Sequence, residues 1–165
     1  MQNDLIRQLY ERYYGSLMII ACSYTRNRDD ARDLVQNAFL KALLSYESRG
    51  SFLYWANKVM RNDFYNQRKR RQRLADQPVE EYALPSEEDP LAEFLHNEER
   101  RRLARMISEL PDRCRDVMVE SVYLGRSDGE IAAEYGLSEA NVRQIRSRAK
   151  KRLIRRKEEE DGRTG

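Results

Sequence analysis

The sequence predicts an all-α protein of two small helical domains joined by an acidic linker. Charged residues make up 36% of the 165 residues and aromatic residues only 9%, so the hydrophobic core is expected to be small. Glycine and proline are few, and no window alternates apolar and polar residues as a half-buried strand does. Apolar residues recur instead at helical spacing, in segments that short turns separate.

Charged residues divide the chain into three parts. Residues 1–73 carry 14 basic and 7 acidic side chains, a net charge of +7. Residues 74–97 carry 7 acidic side chains and no Lys or Arg, and residues 98–165 have a net charge of +3. Since residues 74–97 also contain Pro78, Pro85 and Pro90, we predict a flexible linker there. The second domain is predicted to span residues 98–157, and residues 158–165 to form a disordered tail.

The composition offers little material for catalysis, metal binding or membrane insertion. His96 is the only histidine, and it has no metal-ligand spacing with Cys22 or Cys114. We therefore predict no catalytic site, metal or cofactor, and interpret both cysteines as reduced core residues. No apolar run approaches the roughly 20 residues that span a bilayer, and the amino terminus lacks the layout of a signal peptide. A cytoplasmic protein without membrane insertion is predicted.

The second of three helices predicted in the first domain has two distinct faces. It begins after Asn27, a residue type that caps helix amino termini, and its core face is Ala31, Leu34, Val35, Ala38 and Ala42. The opposite face holds Asp33, Gln36, Asn37, Leu40 and Leu44. Leucines among hydrogen-bonding groups suit docking against a partner's helix. The alternative is that Leu40 and Leu44 cover another part of the same domain, and the pattern alone favours neither.

The third predicted helix combines aromatic and basic residues. It begins near Ser51, and its core face is Phe52, Trp55, Ala56 and Val59. The other side holds Tyr54, Asn57, Lys58, Arg61, Tyr65 and Arg68. Aromatic rings between cations can stack on unpaired bases while the charges hold phosphates. Tyrosines that simply lie over the surface are the alternative, and the basic run at residues 68–73 favours nucleic acid.

The second domain ends in a predicted helix-turn-helix. Two helices, one through Leu103 and one through Val117, are predicted to end at Pro111 and Gly125. A short helix at residues 130–135 follows, capped by Ser127 or Asp128. Gly136 ends this short helix and Ser138 caps the last one, and a helix, a glycine-containing turn and a helix form the helix-turn-helix arrangement.

The last predicted helix has an apolar side and a basic side. The inward residues are Val142, Ile145, Ala149 and Leu153. The outward residues are Arg143, Gln144, Ser147, Arg148 and Lys151. Arg and Gln side chains can read base edges in the major groove, and lysines can neutralise phosphates. A merely solvated basic helix is the alternative, and the turn that precedes this helix favours DNA binding.

Three stretches of the sequence resemble bacterial sigma factors, specifically the small extracytoplasmic-function (ECF) group. They are DLVQNAFLKAL at residues 33–43, RGSFLYWANKVMRNDFYNQRKRR at residues 49–71, and LPDRCRDVMVESVYLGRSDGEIAAEYGLSEANVRQIRSRAKKRL at residues 110–153. A helix-turn-helix alone is weak evidence, because other regulators have one. The joint occurrence of all three stretches in this order, over nearly the whole chain, is specific.

The resemblance implies a promoter-specificity subunit of bacterial RNA polymerase that has no enzymatic activity of its own. The implied partners are the clamp coiled coil and flap of the polymerase core, and promoter DNA in duplex and single-stranded form. An anti-sigma protein is a common further partner of this group. The polymerase-binding residues that the resemblance implies are Asp33, Gln36, Asn37, Phe39, Leu40 and Leu44.

The resemblance also assigns the two parts of a promoter to different residues. For the minus-ten element it implies Ser48, Arg49, Asn57, Lys58, Arg61, Asn62, Tyr65 and Arg68. For the minus-thirty-five element it implies Ser138, Asn141, Arg143, Gln144, Ser147, Arg148 and Lys151. The runner-up function is a stand-alone helix-turn-helix regulator that binds duplex DNA without polymerase. A nucleic-acid-processing enzyme is disfavoured, because helix capping explains Asp29 and Asp30 more simply than catalysis does.

Overall fold

A computed structural model of the protein describes residues 2–75 and 97–164. These residues form seven α-helices and no strand, which confirms the predicted all-α class. The helices are α1 (Gln2–Cys22), α2 (Arg28–Ser45), α3 (Phe52–Leu74), α4 (Glu98–Ser108), α5 (Asp112–Tyr123), α6 (Asp128–Tyr135) and α7 (Glu139–Thr164). The chain divides into two compact units, Met1–Arg101 and Arg102–Gly165. Most of the linker predicted at residues 74–97 lies outside the described residues.

The first unit is built from α1, α2 and α3, which all pack against one another. Its core contains side chains from each helix, among them the fully buried Leu17, Leu34 and Met60. The predicted cap of α2 is confirmed, because the Asn27 side chain accepts a hydrogen bond from the Asp30 N–H at 3.0 Å. Ser51 caps α3 in the same way. Local capping thus sets where two of the three helices begin.

Phe52 lies at the centre of an aromatic cluster in this unit. Its ring centroid lies 5.4 Å from that of Tyr13 on α1 and 5.8 Å from that of Phe39 on α2. Tyr46, where α2 ends, is 5.3 Å away, and Trp55, one turn further along α3, is 6.0 Å away. Such ring pairs add about 0.5–1.5 kcal/mol each beyond the burial of their area. All three helices, and the end of α2 that leads into the next loop, therefore meet at one residue.

The second unit has its core where α5, α6 and α7 meet. Val117, Ile131, Ala132 and Val142 form a buried cluster, against which Ile145 packs while only partly buried. α4 contributes the buried Ala104, Met106 and Ile107. Val122 of α5 lies outside this core, with 42% of its surface exposed.

The predicted disordered tail at residues 158–165 is wrong, because α7 continues as one helix to Thr164. Arg102 of α4 donates a 2.8 Å hydrogen bond to Asp161. Arg105 donates to both carboxylate oxygens of Glu160, each at 2.8 Å. The run of acids at the end of the chain is typical of disorder by composition. It is helical here because basic partners from α4 lie beside it.

Replacing Glu160 by alanine is expected to destabilise the second unit by about 1 kcal/mol, the upper range for partly exposed ion pairs. Urea unfolding followed by circular dichroism measures the loss, and 1 M NaCl should remove most of it because salt screens the pairs. The matched control is Glu158→Ala, since Glu158 is exposed and forms no ion pair with any described residue. Equal stability of the two variants would contradict a structural role for Glu160.

Candidate interfaces for nucleic acid and a partner protein

The outward face of α2 carries a patch of exposed leucines. Leu40 is 58% exposed and Leu44 is 82% exposed, so the alternative that they cover another part of the domain is wrong. Leu43, which the sequence reasoning missed, is 37% exposed and adjoins them. We call Leu40, Leu43 and Leu44 the leucine patch. The polar residues predicted beside the patch also lie outside the core, with Asp33 and Gln36 exposed and Asn37 half-buried.

Phe39, also predicted to bind a partner, does not lie on this exposed face. Its side chain is only 7% exposed, and its ring contacts those of Tyr10 and Phe52, with centroids 5.0 and 5.8 Å away. Helical spacing puts Phe39 between the two faces of α2. The aromatic rings of α1 and α3 draw it into the core, so Phe39 belongs to the core and not to the leucine patch.

α3 is rotated relative to the prediction, which changes the residues that it presents. Asn57 is 1% exposed and Arg61 is 9% exposed, although both were predicted on the outer side. The Tyr24 hydroxyl donates a buried 2.7 Å hydrogen bond to Oδ1 of Asn57, which offsets the cost of burying the amide. Trp55 and Val59, predicted as core, are only half-buried.

The remaining minus-ten candidates are accessible to different degrees. Lys58 and Asn62 are exposed on α3. Ser48 and Arg49 are exposed in the loop between α2 and α3, next to Gly50, whose φ of 76° only glycine adopts without strain. Of the eight residues predicted for this element, these four lie fully at the surface.

Tyr65 and Arg68, the last two minus-ten candidates, are half-buried and pair with each other. The Arg68 guanidinium lies 4.9 Å from the centroid of the Tyr65 ring, which is within the range of a cation–π interaction. It also lies 5.8 Å from the ring of Phe64. The predicted mixture of rings and cations is therefore present on α3, and it is ordered by contacts within the helix.

The helix-turn-helix is fixed by caps at three points. The Ser127 hydroxyl accepts from the Glu130 N–H, and the Glu130 carboxylate accepts from the Ser127 N–H, both at 3.1 Å. Hydrogen bonding of the Glu130 carboxylate to the Ser127 backbone, and then to the Ser127 side chain, holds its pKa below the ordinary value, with a further contribution from the Arg126 guanidinium. Gly136 ends α6 in the left-handed region, at φ 66°. The hydroxyl of Ser138 accepts from the Asn141 N–H at 3.1 Å and starts α7.

α7 shows the two faces predicted for it. Val142, Ala149 and Leu153 are buried, and Ile145 is half-buried. All seven residues predicted for the minus-thirty-five element are exposed: Ser138, Asn141, Arg143, Gln144, Ser147, Arg148 and Lys151. The exposure of this face is thus confirmed, and its contacts with DNA stay a prediction.

Neither a metal-ligand cluster nor a membrane-spanning helix is present among the described residues. Among residues 2–75 and 97–164, no group of three or more His, Cys, Asp or Glu side chains is placed to hold a metal ion. No helix within that part of the chain is long and apolar enough to cross a membrane. Both cysteines are free thiols, with Cys22 buried and Cys114 half-buried.

Two family models match the two units in turn. Sigma-70 region 2 matches residues 9–74, which include the leucine patch and α3. Sigma-70 region 4 matches residues 100–153, which include the helix-turn-helix. This chain belongs to the sigma-70 family. The order of the two matches also agrees with that of the quoted sequence stretches.

Curated relatives indicate the ECF group within the sigma-70 family. The chain is 31% identical over 145 residues to the probable RNA polymerase sigma factor RfaY of Xanthomonas campestris pv. campestris. That alignment covers 82% of this chain and 36% of RfaY, so the chain spans about a third of the length of that relative. It is 24% identical over 153 residues to the ECF RNA polymerase sigma factor SigM of Bacillus subtilis, covering 90% of this chain and 92% of SigM.

Two solved structures share this fold. The sigma factor RpoE, crystallised with the anti-sigma factor NepR from Bartonella quintana, has a TM-score of 0.63 at 26% identity and covers 89% of this chain and 92% of its own. CnrH, solved with the cytosolic domain of CnrY, has a TM-score of 0.59 at 24% identity and covers 92% of this chain and 86% of its own. We conclude that this chain is an ECF member of the sigma-70 family.

Because Phe39 is buried and the leucine patch is exposed, substitutions at the two places should differ in their effect on stability. Phe39→Ala is expected to lower the free energy of unfolding of the first unit by about 3–5 kcal/mol, because it leaves a cavity in the core. Leu44→Ala should change it by less than about 0.5 kcal/mol. Urea unfolding followed by the fluorescence of Trp55, the only tryptophan, reports on this unit alone. A small loss of unfolding free energy for Phe39→Ala would contradict the burial of the Phe39 ring.

Proposed function

We propose that this protein is a sigma factor that directs core RNA polymerase to particular promoters and promotes opening of the DNA. The observation that carries the proposal is that one sigma-70 chain presents a leucine patch on its first unit and a basic helix-turn-helix face on its second. In this role the protein recognises promoter DNA and binds the opened strand, and it catalyses no reaction itself. It would act in the bacterial cytoplasm, where its polymerase and promoters are.

The leucine patch is the proposed docking site for the clamp coiled coil of the polymerase. Leu40 and Leu44 expose most of their side chains, and Asp33 and Gln36 provide a polar rim beside them. An apolar centre with a polar rim is the usual organisation of a protein interface. A coiled coil presents ridges of side chains between which leucines can pack.

The loop after α2 and the adjoining face of α3 are the proposed minus-ten surface. Ser48 and Arg49 on the loop, with Lys58 and Asn62 on α3, are exposed, which supports contact with an opened strand. Asn57 and Arg61 are buried, so we assign them a positioning role. The hydrogen bond from Tyr24 to Asn57 joins α3 to the end of α1 and so holds the exposed face of α3 in place.

The exposed face of α7 is the proposed reader of the minus-thirty-five element. In helix-turn-helix proteins the amino-terminal part of the recognition helix contacts base edges in the major groove. Arg143, Gln144, Ser147 and Arg148 occupy that part of α7 and are all exposed. Arg and Gln side chains are suited to guanine and adenine edges respectively.

An anti-sigma protein is a further proposed partner. RpoE and CnrH, which share the fold of this chain, were both solved in complexes, with NepR and with the cytosolic domain of CnrY respectively. A partner that covered the leucine patch would compete directly with polymerase. Co-purification from the native cell would show whether polymerase, an anti-sigma protein or neither accompanies the chain; recovery of neither would count against both assignments.

The proposal is tested by the variant Leu40→Asp in a transcription assay with core polymerase and genomic promoter fragments. The wild-type protein is expected to support initiation at specific promoters, and the variant to lose polymerase binding because a carboxylate cannot be desolvated in the interface. Its stability should stay within about 0.5 kcal/mol of wild type. Ile154→Asp is the matched control, since Ile154 is also 58% exposed but lies on α7. No specific initiation by the wild-type protein on any promoter would refute the proposed function.

A second variant, Arg148→Ala, tests how α7 reads DNA. If Arg148 contacts a base, binding of the holoenzyme to its upstream element should weaken by about 1–3 kcal/mol, with relaxed specificity at one position. Binding is measured on fragments in which each base pair of that element is changed in turn. A uniform loss on all fragments would instead identify Arg148 as a phosphate contact.

A further inference from the structure

α7 is longer than the part of it that the family model matches. The match to Sigma-70 region 4 ends at residue 153, whereas the helix continues to Thr164. The added turns are held against α4 by Arg102 and Arg105, which pair with Asp161 and Glu160. They are therefore a fixed part of the second unit, and what they present to solvent is a defined surface.

Two sets of basic side chains on α7 differ in whether an acidic residue pairs with them. Arg146 pairs with Asp128 of α6 at 3.2 Å, and Arg156 pairs with Glu109 at 3.5 Å, so the charges of both are used inside the unit. Arg148, Lys151, Arg152 and Arg155 form no ion pair with any residue in the described part of the chain, and all four are exposed. Their charges are available to an external anion.

The second set forms a single stripe that continues the predicted DNA face. At about 100° per residue, positions 144, 148, 151 and 155 fall on one side of a helix. Arg155 lies about 16 Å along the axis from Gln144, at 1.5 Å per residue, and within about 20° of it around the axis. Arg152 flanks the same stripe. The extension thus carries the basic face of α7 past the end of the matched region.

We propose that Arg155, with Arg152 beside it, contacts backbone phosphates of promoter DNA outside the base-reading segment of α7. The inference rests on the proposed function, since it requires α7 to lie in the major groove. That groove is about 12 Å wide, and a straight helix cannot follow its curve. Arg155 lies about 16 Å along the axis from Gln144 and about 10 Å past Arg148, the last base-reading residue. It therefore meets the sugar-phosphate wall, where a guanidinium can hold two phosphate oxygens.

Glu158 marks where these phosphate contacts end. It follows Arg155 by three residues on the same side of α7, and it is exposed without an ion pair among the described residues. A carboxylate there repels phosphates, whereas the neighbouring Glu160 is neutralised by Arg105. The charge along the stripe therefore changes from positive to negative within one turn, and the phosphate-contacting surface ends at Arg155.

The test is the salt dependence of binding between holoenzyme and a duplex fragment that contains the upstream element. Arg155→Ala should reduce the slope of log affinity against log salt by about 1, and weaken binding about 5- to 10-fold at 0.1 M salt. The loss should be equal on fragments with an altered upstream element, because phosphates carry no sequence. Arg155→Lys should restore most of the slope, since it keeps the charge.

Arg156→Ala is the matched control, because the charge of Arg156 is already paired with Glu109, and it should leave the slope unchanged. An unchanged slope in Arg155→Ala overturns the inference. The inference is also overturned if Arg155→Ala weakens polymerase binding and leaves DNA binding unchanged. Arg152 and Arg155 line a cleft of about 320 Å³ together with Met106 and Leu110. That result would identify this cleft as a protein-docking site. If Arg148→Ala also has no effect on any fragment, the failure lies with the proposed role of α7 itself.

Discussion

Each helix of this chain has enough apolar residues to bury one face only, and the position of that face determines what the helix offers to a partner. In α7, burial of Val142 against Ile131 fixes the rotation of the helix, so Gln144 and Arg148 point to solvent. In α2, the buried face leaves the leucine patch outside. Among residues 2–75 and 97–164, no second apolar layer covers these outward faces.

Features governed by neighbouring residues were predictable from the sequence. Asn27 and Ser138 start helices through hydrogen bonds to backbone groups three residues ahead, and Gly136 ends α6 because glycine tolerates a positive φ. The basic side of α7 was predictable as well, since its apolar residues keep a regular helical spacing. The helix-turn-helix and its exposed residues follow from these local rules, without knowledge of the tertiary structure.

Features governed by distant residues were not predictable in the same way. Phe39 stands between the two faces of α2, and only its contacts with Tyr10 and Phe52 decide that it is buried. Asn57 is polar and was placed outside, yet the Tyr24 hydroxyl makes its burial possible. In each case the deciding partner comes from another helix. Composition was equally misleading at the end of the chain, where the partners of the acids lie on α4.

The acids that close α7 stand at the negative end of its helix dipole, where carboxylates are unfavourable. Its last turns persist because Arg102 and Arg105 of α4 lie against Glu160 and Asp161. Without these two arginines the acids would face the negative end of the dipole uncompensated. The last turns of α7 would then fray, while the part of the helix around the buried Val142 would stay folded.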